Sequence, residues 1–299
     1  MHRALSILSS AGFDAPLPCE LALPLIRAKS GLHFQKARAR AGFARGHLLD
    51  VVVYLPGGNG NPLETDAAEE LVRLLVGEEL FERWIGSVVA TPTARGGLLT
   101  VLNQRAEDHS ALPIEALLDS VRAAIAGLKL GLTELSFTHE SHTDDWFAFE
   151  LSPEPAADYA AQDDLLFCST RVPELKKSFL RGERFFSGRF TASGALFTYL
   201  KYDTAQTRTE TRIGERSKFE DLIGRSLAEQ QGTIVGLGLG VRYGYIDLAL
   251  VDPDCIQQRL LPGLRALGIS KRSWVLFCDS ELEAEYRPVY PDSPAPFFG

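Results

Sequence analysis

Apolar positions recur along the chain at two periods. In "ETDAAEELVRLLVG", Ala67, Leu71, Leu74 and Leu75 fall three or four apart, which predicts an amphipathic helix. Asn61 stands as its cap, Pro62 suits the first helical position, Glu64 lies three residues past the cap, and Gly77 suits its end. "LPIEALLDSVRAAIAGLKLG" predicts a second helix, with Ile114, Leu117, Leu118, Val121 and Ile125 on the apolar side. A polar helix over about residues 207–230 has only Ile213, Leu222, Ile223 and Leu227 as apolar positions. "DPDCIQQRLLPGLRALG" predicts a helix capped by Asp252, with Ile256, Leu260, Leu264 and Leu267 on one face, and Pro262 should kink or split it. "EELFERW" and "PELKKSFLRG" are shorter helical stretches.

The second period is that of strands. "HLLDVVVYLP", "SVVAT", "LLFCS", "RFFSGRF", "ALFTYLKY", "YIDLALV" and "SWVLFC" are short, β-branched or aromatic, and bounded by turn residues. "TELSFTH" and "WFAFEL" alternate around the polar "ESHTDD" and predict a β-hairpin, and the proline-rich tail "RPVYPDSPAPFFG" reads as irregular. Short strands outnumber helices and often come in adjacent pairs. The expected class is α+β, with mainly antiparallel sheets and helices packed on one face. "SPEPAADYAAQDD" has the composition of a linker, so two domains are expected, residues 1–155 and 156–299. Each half contains a strand, a proline-started helix and another strand, a pattern that suggests an internal duplication.

Composition narrows the partners. The 299 residues carry a formal net charge of −8, so the chain as a whole repels nucleic acid and anionic membrane. It contains no apolar run near the roughly 18 residues of a spanning helix. The opening "MHRALSILSSAGFDAP" is too broken by serines to read as a signal peptide. The four cysteines form no Cys-x-x-Cys pair, and Cys168 and Cys278 sit in apolar runs as free thiols, which fits a cytoplasmic location.

Several stretches invite a chemical reading. "GTIVGLGLGVRYGYIDLAL" has glycines at 236, 238 and 240, but the third glycine of a dinucleotide fingerprint would have to fall at Val241 or Tyr243, and a strand follows instead of a helix. Asp247 is also too near to serve as the ribose acid. The stretch reads as a hairpin whose bare face lets a helix or backbone approach closely. "HESHTDD" places His139, His142, Asp144 and Asp145 within seven residues, ligand types suited to a divalent metal, yet on an expected solvated turn. Residues 27–47 carry Arg27, Lys29, Lys36, Arg38, Arg40 and Arg45 without an acid; a cation-guarded edge strand is favoured over a phosphate-binding face. "RVPELKKSFLRGERFFSGRF" interleaves bases and phenylalanines, and core packing is favoured over stacking on single-stranded nucleic acid. "GGNGNP" lacks the Lys-Ser/Thr of a phosphate loop, and there is no Gly-x-Ser-x-Gly elbow. Cys255 opens a helix, but Asp252 and Asp254 oppose any activation of its thiol.

The leading expectation is a non-enzymatic protein-binding or regulatory protein of the inhibitor or immunity type. Its acidic surface, with Asp144, Asp145, Asp163 and Asp164, would engage a basic protein partner. No cofactor or bound metal is expected on this reading. The alternatives are a metal-dependent hydrolase using His139, His142 and Asp145, and a small-ligand binder with a pocket between the domains.

Overall fold

The computed structural model describes residues 15–92, 111–132, 146–205, 209–227 and 231–298. It is α+β, and its strands are mostly antiparallel. The chain divides into two compact units, Met1–Gly131 and Leu132–Gly299.

The first unit runs α1 (Cys19–Ser30), β1 (Arg38–Phe43), β2 (Leu49–Leu55), α2 (Pro62–Val76), α3 (Glu78–Trp84), β3 (Ile85–Pro92), β4 (Leu112–Pro113) and α4 (Leu117–Gly131). Its sheet has the order β3-β2-β1-β4, with β2 and β3 parallel and the other pairs antiparallel. In β2, alternation buries Leu49, Val51, Val53 and Leu55 and leaves Asp50 exposed. The start of α2 follows the sequence reading: the Asn61 side chain accepts from Glu64 N at 2.9 Å. The buried Glu64 carboxylate turns back to accept from Asn59 N (2.9 Å) and Gly60 N (2.7 Å), which fixes the loop ahead of the helix. α2 ends at Gly77, whose φ of 85° favours glycine. The edge-strand expectation for the basic segment changes, because β1 lies between β2 and β4. Arg38 and Arg40 project from its exposed positions, and Arg38 Nε donates to Ala111 O at 2.7 Å. Lys29 instead pairs with Glu70, tying α1 to α2.

The second unit contains β5 (Phe147–Glu150), β6 (Leu165–Thr170), α5 (Pro173–Leu180), β7 (Leu196–Asp203), α6 (Thr209–Ser226), β8 (Gly232–Gly240), β9 (Tyr243–Leu250), α7 (Leu261–Ala266), β10 (Ser273–Phe277) and β11 (Tyr286–Pro288). Every pair in its sheet, β11-β10-β7-β9-β8-β6-β5, is antiparallel. The proline-rich stretch at 152–164 joins β5 to its own partner β6, so it is a connection inside this unit.

One face of the sheet presents Leu200, Ile246, Leu248 and Val275 to Ile223, Leu227, Leu260 and Leu264 of the helical layer. The opposite face is covered by α5 and by the stretch before β6. Pro262 splits its helix as expected: Ile256–Leu260 forms a π turn and α7 starts at Leu261. The wider π turn tolerates a proline ring that would clash with the carbonyl four residues earlier in a regular helix.

Two expectations change here. "RFFSGRF" is a loop with a 3₁₀ turn at Ser187–Arg189 rather than a strand. Side chains take the place of ladder partners, since Ser187 N donates to Asp279 Oδ1 (2.6 Å) and Phe185 N to Ser280 Oγ (2.9 Å). Phe185 and Phe190 stack with ring centroids 5.1 Å apart, the core packing expected of them. The tail is partly regular, since Tyr286–Pro288 forms the edge strand β11.

Candidate functional site

The glycine strand is the starting point. β8 and β9 form the expected hairpin, but what approaches the bare face is neither a helix nor a backbone. A Cβ at Gly236 would overlap the Asp247 carboxylate, and one at Gly240 would overlap the Asp164 carboxylate. A Cβ at Gly238 would meet Leu165 Cδ2 at 2.7 Å. The missing side chains therefore make room for two buried acids.

Both acids have partners inside the protein, and Asp247 Oδ2 is held by an ion pair alone. Asp247 accepts from Gln162 Nε2 at 2.7 Å, and Lys176 Nζ lies 2.9 Å from its Oδ2 with both groups almost wholly buried. Lys176 also donates to Gln162 Oε1, closing a three-residue ring. Asp164 Oδ2 accepts from the backbone N–H groups of Arg242 and Tyr243, each at 2.8 Å, and its Oδ1 accepts from Tyr245 Oη. Burial, followed by the Asp164 charge, holds the Tyr245 hydroxyl well above its ordinary pKa.

Residues 156–164 run over this face as a strap. Ala161 has a left-handed φ of 35°, an uncommon conformation for alanine, in the turn just before the inward-pointing Gln162. The buried Lys201 ammonium donates to Tyr159 O at 2.5 Å and stands 4.3 Å from the centre of the Tyr243 ring. Burial pushes the Lys201 pKa down to about 8 against the opposing pull of Asp164, Asp158 and Asp163.

The strap ends in an ion-pair network that reaches the surface. Asp158 accepts from Tyr243 Oη (2.6 Å) and Arg272 Nη2 (2.7 Å). Burial would raise the Asp158 pKa, but the Tyr243 hydroxyl, the Tyr159 N–H and the guanidinium groups of Arg242 and Arg272 outweigh it and lower it. Asp203, at the end of β7, receives Arg272 Nε (3.1 Å) and Arg242 Nη2 (3.1 Å) on one oxygen, and its other oxygen accepts from Ala205 N (2.7 Å).

Arg242, Arg272 and Asp203 form one wall of a cleft of about 680 Å³. Tyr202, Phe219 and Ile269 supply apolar lining, and Lys218, Glu215 and Lys271 add charge. Tyr202 and Phe219 pack edge to face at 5.1 Å. This volume lies within the range of small-molecule sites, and the lining is more polar and charged than that of most of them. All the lining residues belong to the second unit.

The residues singled out from the sequence fare unevenly. His139, His142, Asp144 and Asp145 lie outside the described residues. Asp163 is exposed, and partial desolvation raises its pKa. Asp164 is fully buried, so it is an interior anchor and not part of an acidic surface. Its place opposite Gly240, where backbone and tyrosine donors converge, explains how a charged residue is accommodated there. Among the described residues, no group of three or more His, Cys, Asp or Glu is arranged to hold a metal ion. Burial, reinforced by Asp252, raises the Cys255 pKa to about 11, as the neighbouring acids suggested. No helix among the described residues is long and apolar enough to cross a membrane.

Sequence reasoning missed Arg242, Arg272, Lys218, Tyr202 and Phe219. They come from four separate segments, and no local motif links them. No family model, curated protein or solved structure matches the chain.

Proposed function

We propose that the protein is a binding protein that holds a small molecule in the cleft of its second unit. The observation that carries this reading is the cleft itself: an apolar lining of Tyr202, Phe219 and Ile269 beside arginines fixed in place by Asp203, Asp158 and Tyr243. Arginines held by such partners lose little freedom when a ligand arrives, so the site is preorganised. The basic-partner reading keeps only Asp163 among the described residues, since Asp164 is interior.

Native mass spectrometry of protein purified under mild conditions from its source cells tests the proposal. The expected result is a releasable small molecule on the wild type that is lost in Ala205→Trp, where an exposed cleft residue becomes bulky. Melting curves check that the variant folds. A wild type that carries nothing, or a folded Ala205→Trp that keeps the molecule, would contradict the reading.

A further inference from the structure

The polar groups of the cleft separate into those with partners and those without. Asp203 is saturated, with guanidinium N–H groups on one oxygen and Ala205 N on the other. Glu215 also has an interaction within the protein. The side-chain groups left without a partner are cationic donors. Arg272 uses Nε on Asp203 and Nη2 on Asp158 and Tyr243, while its Nη1 has no partner among the described residues. Lys218, exposed on α6, has no ion pair among the described residues. A ligand entering the cleft therefore meets unpaired cationic donors, while Asp203 and Glu215 are both engaged within the protein.

From this we infer that the cleft selects an organic anion. A carboxylate or phosphate group would sit against Arg272 and Lys218, with an apolar, planar portion beside Tyr202 and Phe219. The free N–H bonds of Arg272 Nη1 suit either group, since both present ionised oxygens that accept charge-assisted hydrogen bonds. The inference rests on the reading of the cleft as a ligand site and adds the chemical class of the ligand.

Three aromatic probes separate charge from fit: phenyl phosphate, benzoate and benzamide, the neutral isostere of benzoate. Each is titrated into ¹⁵N-labelled full-length protein and into Lys218→Glu while the amides of residues 267–272 are followed. Both anions should produce saturable shifts there, and benzamide should bind at least about threefold more weakly than benzoate, in line with the modest worth of exposed charge pairs. Lys218→Glu should weaken the anions by about threefold or more and leave benzamide unchanged. Lys218 is exposed, so the substitution spares the interior. Tighter binding of phenyl phosphate than of benzoate would assign the anion as phosphate, and the reverse as carboxylate. Benzamide binding as well as benzoate would overturn the anion assignment and leave the cleft reading standing. If none of the probes moves these amides, the anion assignment also falls, and the native mass measurement judges the cleft reading separately.

Discussion

The two units share an order of elements and differ in what they bury. Each runs helix, hairpin, helix, strand: α1, β1–β2, α2 and α3, β3 in the first, and α6, β8–β9, the π turn with α7, β10 in the second. In the first unit, β3 pairs directly with β2. In the second, β7 lies between β9 and β10. The consequence appears at the second strand of each hairpin. β2 alternates, with one face buried, whereas every position of β9 is buried. A strand covered on both faces is usually apolar throughout, yet β9 carries Tyr243, Tyr245 and Asp247. These polar groups are tolerated because the strap, α5 and the backbone supply partners and the glycines of β8 leave space. Among the described residues of the first unit, Glu64 is the one buried charged side chain. The second unit buries Asp164, Lys176, Arg189, Lys201, Asp247 and Asp279.

This contrast can be broken most severely at Asp247. Asp247→Ala leaves Lys176 buried without its carboxylate and should destabilise the protein by about 3–5 kcal/mol in urea denaturation. Replacing both partners with apolar residues, Lys176→Met with Asp247→Leu, should recover much of the loss, because a buried pair gains little over good packing. A double variant as unstable as the single one would show that the pair has a role beyond electrostatic compensation.

Titration offers the next test. The Lys201 pKa in the folded state, about 8, lies below its ordinary value of 10.5. Between those values the unfolded chain holds more protons, so stability should rise with pH by roughly 3 kcal/mol from this group. The Tyr243 pKa, raised to about 12 by burial and Asp158, opposes it: above pH 10 the unfolded chain loses this proton first, and stability falls again. Burial also raises the pKa of the thiols Cys19, Cys168, Cys255 and Cys278, which lower stability as pH passes through 9. The Lys201 contribution is therefore read as the difference between wild type and Lys201→Met: chemical denaturation from pH 7 to 10 should show the wild type gaining stability relative to the variant. Wild-type and Lys201→Met profiles that run parallel across this window would contradict the buried Lys201.

Glycines give a smaller effect and a direct comparison between the units. Gly238→Val meets Leu165 and Tyr245 and should cost about 1–3 kcal/mol by overpacking. Gly42 in β1 has nothing within 4 Å of the added atom, so Gly42→Ala should stay within about 0.5 kcal/mol. Equal shifts in melting temperature would mean that the glycines of β8 are not there for close packing. Smallest among the destabilising changes is Asn61→Ala in the first unit, which removes one cap from α2 and should cost about 1 kcal/mol in the same melts.

Local chemistry was the legible part of the sequence. The cap, proline and acid at Asn61, Pro62 and Glu64 announced α2, and "GLGLG" followed by "YIDLALV" announced the β8–β9 hairpin. The buried charges were hidden because Lys176, Asp164 and Asp247 look like surface residues when only their neighbours in the chain are read. The signal that could have exposed them is the glycine spacing: Gly236 pairs with Asp247 across the hairpin, leaving a vacant position beside a carboxylate. The loop at Ser187–Arg189 resembles a strand in the sequence because its partners, Asp279 and Ser280, lie some ninety residues away. The cleft was illegible for the same reason, since its walls meet only after β7, α6, β9 and β10 are assembled.

The ligand site proposed for the second unit is the most direct point of attack. Hydrogen–deuterium exchange should compare the wild type with and without the compound released from the native protein. New protection is expected in residues 202–205 and 267–272, with no change in α2 or β2 of the first unit. Protection confined to the first unit, with residues 267–272 exchanging as before, would contradict it.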